Sequence, residues 1–166
     1  MSTAAADVRL SLPARAEGVA VVRQALAGLA DALGVEAAVL ADMKMAVSEA
    51  CTNVVVHAYP GAEGVLEVEM QSDAEGIEIR VRDHGVGVRS ASERTEDVPA
   101  LGLGLPLIAA LSDAFALDGE PGAGTQVRMT FRYARDGDPA ETHPVQGSVG
   151  DDGRWDPGAT HETPAN

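Results

Sequence analysis

Cysteine occurs once in this 166-residue chain, at Cys51, so no internal disulfide can form. Cys51 lies in a helical apolar pattern with no second cysteine or activating base beside it, and reads as a buried thiol in a reducing compartment rather than a nucleophile. Aromatic residues make up only 3%, which leaves Ala, Val, Leu and Ile to build the core. Basic residues are scarce as well: 12 Lys and Arg face 26 Asp and Glu, for a formal charge of -14, and they form no run. A nucleic-acid surface needs clustered cations, so direct nucleic-acid binding is excluded. No apolar run reaches the roughly 20 residues of a membrane span. The longest, residues 98–111, is broken by Gly102, Gly104 and Pro106, and the first residues show no basic segment followed by an apolar one. The expectation is one cytoplasmic domain with no membrane contact.

The hydropathy pattern places its elements. Residues 8–12 alternate as a half-buried strand stopped by Pro13. Val19, Val22, Leu26, Leu29 and Leu33 recur at helical spacing and Gly34 closes that helix. A second helix is expected over residues 36–57, although the run Val54-Val55-Val56 is a poor helix former that burial must hold. Residues 65–70 and 77–81 alternate and pair as a hairpin across the turn at 73–76. Residues 89–100 have no apolar period and read as a mobile loop, of a length usually tied to function. A helix over 103–112, a short strand at 115–117 and a last strand over 125–133 complete the domain. Residues 1–7 read as a flexible lead and 134–166 as a disordered acidic tail, Pro- and Gly-bearing and without periodicity.

Four stretches carry chemistry. Glu49, Asn53 and His57, spaced i, i+4 and i+8, share nearly one helix face. An Asn amide oxygen is a neutral hard ligand suited to Mg²⁺, and a carboxylate one turn away suits a general base. An ordinary solvated helix face is the plain alternative. Asp83 ends a strand and is followed by Gly85 and Gly87, which free the backbone for close approach to a ligand. A carboxylate held there can accept from adenine's exocyclic amine, and His84 between reads as exposed filler. Gly102-Leu103-Gly104-Leu105 opens a helix whose free amides and dipole would suit a phosphate chain, with a simple hinge as the alternative. No Walker lysine follows. Gly122-Ala123-Gly124-Thr125 precedes the final strand.

In this order the stretches resemble a known pattern. Residues 49–59 are similar to the N box, residues 83–87 to the G1 box and residues 101–105 to the G2 box of the Bergerat-fold ATPases and kinases. Gly122-Ala123-Gly124-Thr125 resembles the Gly-x-Gly-Thr that ends their site. The short chain and the His-Ala-Tyr at 57–59 look most like the bacterial anti-sigma factor serine/threonine kinases, over residues 8–133. The resemblance implies a two-layer α/β (α+β) sandwich, with a mixed, mostly antiparallel sheet carrying helices on one face. It implies Glu49 as catalytic base and Asn53 as Mg²⁺ ligand. Asp83 would anchor adenine with Thr125 in support, and Gly85, Gly87, Gly102, Leu103, Gly104 and Leu105 would line the nucleotide. Arg94, in the loop between the glycine motifs, is a candidate contact for the γ-phosphate. His57 and Tyr59 are read as structural.

The implied function is ATP- and Mg²⁺-dependent phosphorylation of a small STAS-type anti-anti-sigma partner, alternating with sequestration of a sigma factor. A homodimer is also implied. Two departures favour a second reading, a nucleotide-binding module that sequesters a partner with little kinase activity. Pro99-Ala100-Leu101 stands where relatives often carry a basic residue, and Ala123 stands where they often carry Lys. A third reading, the detached catalytic domain of a histidine kinase, lacks a dimerising helix pair upstream of Val8.

Overall fold

The structure, a computed structural model, describes residues 7–87 and 104–133 and the short strands at 148–149 and 155–156. The first unit, Met1–Asp136, is a five-stranded sheet with helices on one face. Its elements run β1 (Val8–Pro13), α1 (Ala16–Leu33), α2 (Ala37–Asn53), a π-helical turn (Val54–Ala58), β2 (Val65–Ser72), β3 (Gly76–Asp83), α3 (Gly104–Leu111), β4 (Ala114–Glu120) and β5 (Gly124–Arg132). The strand order is β1-β2-β3-β5-β4. All four ladders are antiparallel, and no parallel pair occurs among the described strands.

Alternation decides which face is buried. Leu66, Val68 and Met70 on β2, Ile77, Ile79 and Val81 on β3, and Val127, Met129 and Phe131 on β5 all point into the core. Cross-strand register stacks them, with Ile77 opposite Phe131, Ile79 opposite Met129 and Val81 opposite both Val68 and Val127. Against this layer α1 sets Val22 and Leu26, and α2 sets Met43, Ala46, Val47 and Ala50. Cys51 is buried among them, and desolvation pushes its thiol up to about 12, so it stays protonated as an inert apolar group.

The other face of the sheet is charged. Arg9 pairs with Glu69 at 2.7 Å, Arg80 bridges Glu69 and Glu78, and Arg128 lies 3.5 Å from Asp118. These partly exposed pairs contribute at most about 1 kcal/mol each, and they commit these arginines to carboxylates of their own sheet.

Three expectations change. The second helix does not run to His57: its α geometry ends at Asn53 and the next five residues form the π turn. The β-branched Val54-Val55-Val56 crowds the preceding turn of an α-helix, and the wider π winding relieves it. The sheet edge reaches back to Asp7, whose carboxylate accepts from both the N–H and the hydroxyl of Ser72 at 2.6 Å; these bonds lower its pKa. Asp7 therefore belongs to the domain rather than to a flexible lead, and residues 1–6 lie outside the described ones. In the second unit, Gly137–Asn166, β6 (Ser148–Val149) pairs antiparallel with β7 (Trp155–Asp156), so the expected tail holds at least this short ladder. Val149 and Trp155, paired in register, are strand-favouring types.

Candidate functional site

The central strands end at one place. Asp83 closes β3 and pairs in register with Thr125 at the start of β5, which in turn pairs with Gly119 of β4. Asp83 is only 4% exposed, and its Oδ1 accepts the Gly85 N–H at 2.8 Å, fixing the rotation of the carboxylate and with it the direction of Oδ2.

The loop after Asp83 is held on both sides. Val86 N–H donates to Ala58 O at 2.9 Å, joining the loop to the end of the π turn, and Gly122 N–H donates to Val86 O at 2.8 Å, joining it to the β4–β5 turn. Gly85 and Gly87 make these approaches possible. A Cβ on Gly85 would overlap the Ala58 carbonyl, and one on Gly87, whose φ is +73°, would overlap that of Glu120. Gly87→Ala therefore meets both a carbonyl and a left-handed backbone, at a cost of about 1–3 kcal/mol. The expected result is a melting temperature lower by several degrees on differential scanning calorimetry.

Between this loop and α2 lies a cleft of about 510 Å³, open to solvent. Of the residues expected from sequence, Asn53, Asp83, Gly87, Leu105 and Thr125 line it. Gly85 packs behind it, against Ala58. Glu49 and Asn53 meet at the start of α3: a Cβ on Gly104 would stand 3.2 Å from Glu49 Oε2, 3.5 Å from Asn53 Nδ2 and 3.7 Å from Asn53 Oδ1. The Asn53 amide nitrogen is sealed from water without a hydrogen-bond partner among the described residues. A buried donor left this way costs about 1–3 kcal/mol, which a ligand bearing an acceptor oxygen would recover. Arg94, Gly102 and Leu103 lie outside the described residues.

Sequence reasoning missed part of the wall. His57, read as structural, lines the cleft beside Asn53 and Val54, and Val81, Leu117 and Val127 supply its apolar floor. The signal was present in the period of the strands, whose inward residues nearest Asp83 and Thr125 reach the site. His84 is not filler: its N–H donates to the Tyr59 hydroxyl at 2.8 Å and its ring lies 3.1 Å from Glu67.

A largely apolar cleft lined by a fixed buried carboxylate and by an amide unpartnered among the described residues suits a base and a phosphate chain. The family model described as the histidine kinase-like ATPase domain matches residues 12–131. The chain belongs to this family. Within it, a protein named serine-protein kinase RsbW from Bacillus cereus (strain Q1) is 35% identical, over 82% of this chain and 94% of the relative. The protein of the same name from Bacillus anthracis (strain CDC 684 / NRRL 3495) matches at the same identity and coverage. Crystallised RsbU and RsbW domains of a Mycobacterium tuberculosis protein share the fold, with a TM-score of 0.60 at 21% identity over 77% of this chain and 32% of theirs. As a histidine kinase-like ATPase domain the chain uses a nucleotide, and no described helix is long and apolar enough to cross a membrane.

Proposed function

We propose that this chain is an ATP-dependent serine/threonine protein kinase and anti-sigma factor. It phosphorylates a small STAS-type anti-anti-sigma partner and, in the alternate complex, holds a sigma factor. The name shared by the relatives at 35% identity supports the kinase reading. The observation that carries it is the meeting of Glu49 and Asn53 at Gly104, in a fold whose cleft is lined by Asn53 and Asp83.

In this reading Asp83 accepts from the exocyclic amine of adenine, Thr125 and His57 flank the base, and the phosphates run toward Asn53 and the start of α3. The described residues hold no group of three or more His, Cys, Asp or Glu able to bind a metal. A neutral amide oxygen suits Mg²⁺, which keeps several waters and takes phosphate oxygens as ligands; Asn53 Oδ1 would hold it. Bound there, Mg²⁺ would neutralise charge on the phosphates. Glu49 takes the proton of the partner's hydroxyl as that oxygen bonds to the γ-phosphorus and the bond to the β,γ-bridging oxygen breaks, with ADP leaving. The protein's part is position and charge, and no covalent enzyme intermediate is needed.

The full chain, incubated with γ-labelled ATP and the STAS-domain proteins of its own genome, is expected to place label on a serine or threonine that mass spectrometry can map. Nucleotide binding with no labelled partner would instead favour the sequestering module.

A further inference from the structure

Tyr59 joins parts of the chain that are far apart in sequence. Its hydroxyl donates to Val65 O at 2.8 Å and accepts the His84 N–H at 2.8 Å, using both capacities of a phenol. Its ring covers Gly64, where an added Cβ would overlap ring carbons. His84 directly follows Asp83, and the next N–H, that of Gly85, is the one that fixes Asp83 Oδ1. Only the two torsions of His84 separate the peptide held by Tyr59 from the peptide whose N–H meets Asp83, so fixing the first restricts the second. Tyr59 is not itself a wall of the cleft.

We propose that Tyr59 is a positioning residue for base selection: its hydroxyl sets the 84–85 turn and, through the Gly85 N–H, the direction of the Asp83 carboxylate. The inference rests on the nucleotide reading above. Removing the hydroxyl frees the His84 N–H, lets the turn rotate, and misaims a carboxylate that has to meet one particular amine.

The test uses the full chain and calorimetric titration with ATP and with ITP, whose base carries an oxygen where adenine carries the amine. Tyr59→Phe keeps the ring over Gly64 and deletes only the hydroxyl. It is expected to weaken ATP binding about 3- to 10-fold, the share of one or two hydrogen bonds, and to lower the ATP-over-ITP preference by a similar factor. Turnover at saturating ATP stays unchanged, because Glu49 sits on a different element. Gly64→Ala, which displaces the ring from the other side, is expected to lower the same preference. Combined with Asp83→Asn, Tyr59→Phe should add little, since both act through one carboxylate.

Equal weakening of ATP and ITP, or effects of Tyr59→Phe and Asp83→Asn that multiply, would reduce Tyr59 to a fold-stabilising residue. A wild type that prefers ATP while Tyr59→Phe retains that preference overturns this inference alone. A wild type that binds neither nucleotide overturns the nucleotide reading and this one with it.

Discussion

Glu49→Gln is expected to lower phosphoryl transfer by about 10²-fold or more while leaving nucleotide affinity within a few-fold, the signature of losing a general base. Gln keeps the length and shape of Glu at the start of α3, where Gly104 leaves room for it, but it cannot take the proton of the attacking hydroxyl. Asn53→Ala, one turn along the same helix, is expected to impair both binding and turnover, because it removes the amide proposed as Mg²⁺ ligand. Steady-state transfer to the partner, together with calorimetric titration of ATP, separates the two patterns. Equal transfer rates for wild type and Glu49→Gln would assign Glu49 to the helix surface and leave the kinase reading without its base.

For Asp83→Asn the expected result is a loss of ATP affinity of about 10- to 10²-fold, with ITP affected far less. Asp83 is buried, and one of its oxygens is already committed to the Gly85 N–H. In the variant the amide oxygen keeps that bond, and the amide nitrogen then faces the adenine amine, donor against donor. Losing a hydrogen bond to a charged acceptor costs about 1.5–3 kcal/mol, which converts to the stated range. The carbonyl oxygen of hypoxanthine would accept from the same amide, so base preference should narrow or invert. If ATP and ITP weaken alike, Asp83 supports the loop and does not read the base.

Much of this fold was legible because its signals are local. Alternation along residues 65–70 and 77–81 identified the inward faces of β2 and β3, since side chains on successive strand residues point to opposite sides. Helical spacing identified Val22 and Leu26 as the buried stripe of α1. The order of the glycine motifs, the lone cysteine and the negative charge bounded the function class. The strand expected at 115–117 extends over Ala114–Glu120 because pairing with β5, not its own composition, sustains it.

What required the tertiary structure was everything set by non-local contact. Asp83 and Thr125 become neighbours only through the β3–β5 register. The three valines marked the end of α2 as a poor α-helix, but the π winding that relieves them, and the place it gives His57 in the cleft wall, are visible only in the folded chain. Gly85 and Gly87 read as ligand-facing glycines in sequence, whereas each also stands where a Cβ would strike the carbonyl of a distant residue. The bonds of Tyr59 to Val65 and His84 carry no sequence signature at all. Residue periodicity records which way a side chain points, and the sequence by itself determined that much; which backbone it then meets depends on strand register and loop closure, which only the folded chain decides.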